Sequence, residues 1–413
     1  MFAGYLVWDQ IEVRALRRAI DAIAARGEPV TIDETPVGAD TPERHDAARI
    51  YAAAAQRERE LLPEQTFRLS LIDVDSPSAP SFADLEARYR PDAPILQLLD
   101  QAAPLDFNGF GDVEISGRNP LSTSAVLADL RADLFSVKGK PDEAAASLVS
   151  SARALRTQAD AYMRWIGVSR LLGSVRILLR HTSPGEPALK QLQEAIATLP
   201  DDDRVAAEVQ RARASMLDDW RNPSRSVSEA VLQRAFRPWI ARSQRAQLAA
   251  TEDALAVARE PWPGKLAAAK ALERRYAGAI KELTGRRGFF DRLMGPYGYG
   301  IPIISVLPSG YELASRRVML TALAIERYRR AHAEALPPSL DALVPAYLPA
   351  IPLDPFSGSA VVFKPSRDAY LVYSVDANAT DDGGALYGVG SKGQLNPRQG
   401  TPRDLGIRVP IAK

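Results

Sequence analysis

Between residues 121 and 290 the apolar side chains return every three or four positions, and that period restricts the fold more than any other feature of the chain. Leu127, Leu130, Leu134 and Val137 form one stripe, which Gly139 ends. Ala145, Leu148, Ala152 and Leu155 form the next, with Asp142 placed to cap its start. Trp165, Val168, Leu172, Val175 and Leu179 follow, then Leu189, Leu192, Ile196 and Leu199. A period near 3.6 puts each set on one face of a helix. The connections are short, so consecutive helices are expected to pack antiparallel.

The segment from Gly139 to Ala144 resembles a tetratricopeptide turn, but the ~34-residue period of that repeat does not recur. An irregular helical array is expected instead. Upstream, a first helix is expected over Tyr5 to Arg26, with Leu16, Ile20 and Ile23 inward and Gly27 as its stop. A connector over 30–42 leads to a second helix around Pro42 to Leu62. Residues 63–120 mix helical stretches with an alternating run at Phe67, Leu69, Leu71 and Val74.

Composition narrows function by exclusion. The 413 residues carry 52 basic and 51 acidic side chains, a formal net charge of +1. That balance offers no bulk field for nucleic acid or anionic lipid, and no nucleic-acid partner is expected. The absence of cysteine removes disulfides, thiolate metal sites and cysteine nucleophiles. His45, His181 and His332 are far apart and lack metal-ligand spacing with an acid or another His. Gly295 to Gly300 is glycine-rich, but its Pro and two Tyr make it a linker rather than a phosphate cradle. Arg274, Arg275, Lys281, Arg286 and Arg287, with Phe289 and Phe290, read as a solvated helix face whose aromatic end packs inward, the alternative being contact with phosphate or lipid headgroups. No catalytic constellation emerges.

The pattern changes after the Pro- and Gly-broken stretch 295–308. A long helix is expected from Tyr311 to about Glu334, stopped by Pro337-Pro338, and a short one over Ser339 to Val344. The turn Asp354-Pro355-Phe356-Ser357-Gly358 leads into two strand-like runs, Ala360 to Phe363 and Tyr370 to Val375, joined by Ser366-Arg367-Asp368. A polar loop then carries Asp376, Asn378, Thr380, Asp381, Asp382, Gly383 and Gly384.

This order of motifs resembles the soluble head of the major pseudopilin of type II secretion. The resemblance covers roughly residues 315–408. It is carried by Leu340-Asp-Ala-Leu343-Val344-Pro345, by the Asp354 turn, by Tyr370-Leu-Val-Tyr373-Ser374 and by the Asp-Asp-Gly-Gly loop. Phe356 stands where that family commonly has Trp. A pilin-type subunit also fuses its membrane helix directly before the long helix, whereas here the preceding segment is broken and too short to span. The whole chain further resembles a group of bacterial envelope proteins without an assigned activity, which combine a membrane-anchored helix, a helical array and this terminal module.

The pseudopilin resemblance implies a calcium ion in the C-terminal loop. Calcium takes six to eight oxygen ligands, and Gly lets such a loop fold tightly. Asp376, Asn378, Asp381, Asp382 and Asp404 are the candidate ligands, Asp404 lying in an Asp-Leu-Gly stretch similar to that family's closing motif. The spacing is not that of an EF-hand, since Tyr387 occupies the twelfth position. A solvated loop of Asx turns is the other reading.

The expected fold is therefore mainly α: an irregular antiparallel helical array followed by a small pseudopilin-like α+β domain. Four regions are expected: a membrane-proximal helix (1–30), a mixed segment packing on the array (31–120), the array with its linker (121–308) and the terminal module (309–413). The apolar run Phe2 to Trp8 reads as the exit of a transmembrane helix at or before Met1, or as the start of an ordinary amphipathic helix. The expected role is that of a non-catalytic, membrane-tethered interaction or scaffold protein on the periplasmic side of the bacterial inner membrane, binding protein partners in the envelope. The alternatives are an envelope hydrolase using carboxylates and a soluble helical-repeat adaptor.

Overall fold

The computed structural model describes residues 2–35, 120–156, 161–199, 204–221, 236–285, 306–386 and 404–411, with a few single positions between them. The chain is mainly helical with a small antiparallel sheet near its C-terminus, the fold class expected from the sequence. The helices are α1 (Phe2–Ala25), α2 (Pro120–Val137), α3 (Pro141–Arg156), α4 (Ala161–His181), α5 (Glu186–Ala197), α6 (Arg204–Arg221), α7 (Arg237–Arg259), α8 (Gly264–Gly285) and α9 (Val306–Ala331). The strands are β1 (Val362–Pro365), β2 (Ala369–Ser374) and β3 (Leu405–Pro410). The expected helix over 42–62 and the alternating run 67–74 lie, almost entirely, outside the described residues, as does most of the linker 295–308. Its last residues are helical, because α9 already begins at Val306.

The chain forms two compact units, and neither is continuous in sequence. One comprises Met1–Pro36 and Asp203–Leu307, the other Val37–Asp202 and Pro308–Lys413. The expected boundaries follow chain order, whereas the C-terminal module shares its compact unit with α2 to α5.

In the first unit α1 packs on α7, and α7 packs on α6 and α8. Ile23 meets Leu217 and Leu248 in one small core, with Ala19, Ile20 and Trp220 around it. Above it the chain leaves α1 at Gly27 in the left-handed region (φ 70°) and brings Glu28 into a knot of arginines. Buried Arg213 reaches Glu28 at 2.7 Å and also pairs with Glu252. Arg259 approaches Glu28 at 3.0 Å and Arg26 approaches Glu252 at 2.7 Å. Burial works to raise the Glu28 pKa, but hydrogen bonds from Arg26, Arg213 and Arg259 hold it down at about 2.

In the second unit α2, α3 and α4 pack mutually and α3 also packs on α5. Three of the expected stripes are largely buried: Ala145, Leu148, Ala152 and Leu155 on α3, Val168, Leu172, Val175 and Leu179 on α4, and Leu189, Leu192, Ile196 and Leu199 on and just after α5. On α2 Leu130 is buried, but Leu134 is half-buried and Val137, at the helix end, is 50% exposed. One local expectation changes. α3 starts at Pro141, so Asp142 sits inside the first turn, and its carboxylate accepts the Gly185 N–H at 3.0 Å, where α5 begins.

α9 joins this array through polar contacts with apolar packing around them. Arg164 on α4, fully enclosed, donates to Glu312 at 2.7 Å. Arg316 donates to the Ile196 and Ala197 carbonyls at the C-terminus of α5, where cations are favoured. Arg327 forks onto Glu186 at 2.7–3.2 Å and donates to the Gln193 side-chain Oε1 at 3.0 Å. Tyr311 bridges Trp165 of α4 and Phe356, with ring centroids 6.0 and 5.4 Å away.

The sheet has strand order β1-β2-β3, antiparallel throughout. The expected hairpin is present, and β3 adds a third strand along the other edge of β2, with Tyr370 opposite Val409 and Tyr373 opposite Gly406. Gly406 is required there, since a Cβ would lie 2.4 Å from both Tyr373 Cβ and the Val372 carbonyl. The buried Tyr370 hydroxyl donates to Glu326 of α9 at 2.8 Å, and Arg329 donates to the same carboxylate at 2.7 Å.

Removing one partner of a buried ion pair strands the other charge, a loss of about 3–5 kcal/mol, while an apolar pair of similar volume restores much of it. Glu312→Ala is expected to lower unfolding stability by that amount, and Arg164→Met with Glu312→Leu to recover most of it. Chemical denaturation of the two variants checks this; equal losses in both would contradict the assigned role of the pair.

Candidate functional site

The residues after β2 are rich in Asp, Asn and Gly, which tolerate left-handed backbone and hydrogen-bond their own main chain. The loop uses that freedom at Asp376 (φ 64°), Gly383 (φ 78°) and Gly384 (φ 85°). Its side chains then tie it together. Asp376 accepts the Ala377 N–H. Asn378 accepts the Thr380 N–H at 2.9 Å and donates to Asp382 at 2.8 Å. Asp381 accepts the Gly383 N–H and the Tyr373 hydroxyl, both at 2.8 Å, with the Lys364 ammonium 3.4 Å away. Asp404, at the start of β3 and fully enclosed, accepts the Gly384 N–H at 2.7 Å and the Asp382 N–H at 3.3 Å.

The charges respond in opposite ways. The Tyr373 hydroxyl, followed by the Gly383 N–H, holds the Asp381 carboxyl below its ordinary pKa, and Lys364 adds to this. Burial pushes Asp404 above its ordinary value, against the Gly384 and Asp382 N–H groups, and the Asp381 and Asp382 charges add to the rise.

Of the five candidate calcium ligands, the fold brings Asp381, Asp382 and Asp404 around the Gly383-Gly384 turn. Their oxygens, however, face N–H and O–H donors and a lysine rather than a common centre. Among the described residues no three acidic or imidazole groups converge so as to hold a metal ion. As placed, these side chains form a hydrogen-bonded loop closure, and no chemistry is derived through an ion.

The preceding Asp354 turn is closed in the same manner. Asp354 accepts the Phe356 N–H at 2.8 Å, the Ser374 hydroxyl at 3.0 Å and the Val375 N–H at 2.7 Å. Phe356, where the pseudopilin family commonly has Trp, is buried against Tyr311. Comparison with protein-family models, curated proteins and solved structures found no match.

The other residues singled out in the sequence contribute no shared site. His332 stacks on Tyr328 at 3.8 Å, and His181 ends α4. His45 lies outside the described residues. In the basic cluster Arg275 pairs with Asp253 at 2.7 Å, and the positions from Arg286 onward lie outside the described residues.

The most perturbed acids were not singled out from the sequence at all. Asp129 and Asp133, one turn apart on α2, are buried against α3 and α4. Arg170 stands 3.6 Å from Asp129, with Ser151 alongside; Ser174, Arg170 and Arg176 face Asp133. Burial raises Asp129 to about 6, against Arg170. Burial raises Asp133 to about 8, against the Ser174 hydroxyl and with the Asp129 charge adding. The available signal was a polar pair at i, i+4 on a helix whose remaining residues are nearly all apolar or small.

Two measurements follow. Asp404→Ala frees the Asp382 and Gly384 N–H groups and is expected to cost about 1–3 kcal/mol, with faster amide exchange at both positions; unchanged exchange would refute the closure. Asp133 binds its proton more tightly folded than unfolded, so stability is expected to fall as pH rises from about 4 towards 8, by at most about 1.4 kcal/mol per unit. Denaturation of Asp133→Asn across pH 5–8 should show a flatter profile, and a slope identical to wild type would exclude the assignment.

Proposed function

We propose that this chain is a non-catalytic interaction protein of the bacterial cell envelope, tethered on the periplasmic side of the inner membrane. In this reading helices α2 to α5 and the pseudopilin-like module, which share one compact unit, offer a surface to protein partners. The observation that supports it most directly is the way α9 is locked to α4 and α5. Arg164–Glu312, Arg316 on the end of α5, and the Arg327 fork onto Glu186 hold the module against the array in a single geometry. Rigid presentation reduces the ordering cost of binding, which is what a scaffold needs. The carboxylates of the Asp354 and Asp381 turns support the same reading, since they are engaged in closing the backbone.

A hydrolase working through carboxylates would draw on Asp129 and Asp133. Both are enclosed between α2, α3 and α4, with Asp133 7% exposed and Asp129 not at all.

No described helix is long and apolar enough to cross a membrane, so tethering is tested directly. Cell fractionation is expected to recover the native protein with inner membranes, and crosslinking there to capture protein partners. Substituting Arg327 and Arg316 by Ala together should weaken that capture at least several-fold by loosening the module. Recovery in the cytosol would overturn the proposal.

A further inference from the structure

The first half of α1 is inverted relative to an ordinary amphipathic helix. It buries two carboxylates, Asp9 and Glu12, each 7% exposed, and turns Leu6, Val7 and Ile11 outward at 47%, 60% and 58%. The inversion is held from below. Glu12 pairs with Arg245 at 3.0 Å and accepts the Trp8 indole N–H at 3.3 Å, and Asp9 lies 3.5 Å from Arg237. Further along, the helix returns to the expected arrangement, with Ile23 in the core. An apolar face fixed outward by ion pairs on its underside is a surface with a partner.

The surroundings indicate which partner. Trp239 of α7, 47% exposed, borders the opening turns of α1, packed edge-on to Trp8 at 4.4 Å and near Tyr5 at 6.2 Å. On the same face of α1, one to two turns beyond Ile11, Arg14, Arg17 and Arg18 are exposed. At ~1.5 Å per residue the centre of the arginine group lies roughly 12 Å along the axis from the centre of the apolar one. Apolar and aromatic side chains at one end of the helix and cations further along match an anionic bilayer, whose apolar boundary gives way to headgroup charge.

We propose that Leu6, Val7, Ile11 and Trp239 insert obliquely into the interface of an anionic membrane while Arg14, Arg17 and Arg18 engage lipid phosphates. This deepens the tethered reading and rests on it for the presence of a bilayer. The contact positions the first compact unit on the surface, independently of whatever else holds the protein there.

The test is co-sedimentation of the 413-residue chain with vesicles of phosphatidylglycerol and phosphatidylcholine, against vesicles of phosphatidylcholine alone. Binding is expected to the anionic vesicles, at least tenfold tighter than to the neutral ones and weakened by salt. Leu6→Ser, Val7→Ser and Ile11→Ser combined, or Arg14→Gln, Arg17→Gln and Arg18→Gln combined, should each reduce it at least tenfold. Both sets replace exposed side chains, and unchanged circular dichroism confirms that the fold is kept. Absent binding, or binding that both triple variants retain, overturns the proposal. So does a dimer abolished by the serine variant in the absence of vesicle binding, since the occupant would then be a second copy. Membrane recovery in cells without vesicle binding leaves tethering intact and removes only this contact.

Discussion

The buried pair between Arg164 and Glu312 is the contact on which the second compact unit depends. A charge enclosed without its partner is far more costly than the pair itself, so α9 has one acceptable position against α4. That position carries Glu326 to the face where the sheet packs. There the carboxylate receives the Tyr370 hydroxyl and the Arg329 guanidinium, and burial beside this carboxylate pushes the Tyr370 phenol well above its ordinary pKa. Arg329 also reaches the Ile411 carbonyl just beyond β3. A line of buried polar contacts thus runs from the array through one helix to the last strand.

The acidic turns follow from the same economy of buried polar groups. A backbone that reverses at Asp354 and again at Gly383-Gly384 leaves N–H groups without sheet partners, and enclosed donors must find acceptors. Asp354 and Asp404 supply them from fully enclosed positions. Their oxygens serve the loop's own backbone.

The first unit applies buried ionic contacts to a different end. Glu28 with Arg213 and Glu252 fixes the chain where it leaves α1. Asp9 and Glu12 fix the rotation of α1 about its own axis. Side-chain polarity alone would have rotated the opening turns the other way, so the outward apolar face is a product of the arginines on α7.

The helical stripes, the stop at Gly27, the short Leu340–Leu343 turn and the β1–β2 hairpin were legible because each depends on residues close in sequence, through the 3.6 and 2.0 periods and the backbone freedom of Gly and Asp. β3 was missed although Leu405, Ile407 and Val409 alternate, because a short strand needs a partner edge to be distinguished from a loop. The five loop residues were found by type and spacing, but where their oxygens point depends on Tyr373, Lys364 and the backbone of the Gly383 turn. Asp129 and Asp133 were not singled out, because what encloses them is the packing of α3 and α4 over α2. Local periodicity by itself determined the mainly helical class and the elements; which elements share a core, which carboxylates are enclosed and which apolar face stays outside were decided only in tertiary structure, because burial and charge pairing are set by residues on other elements, some more than a hundred positions away, as with Arg164 and Glu312.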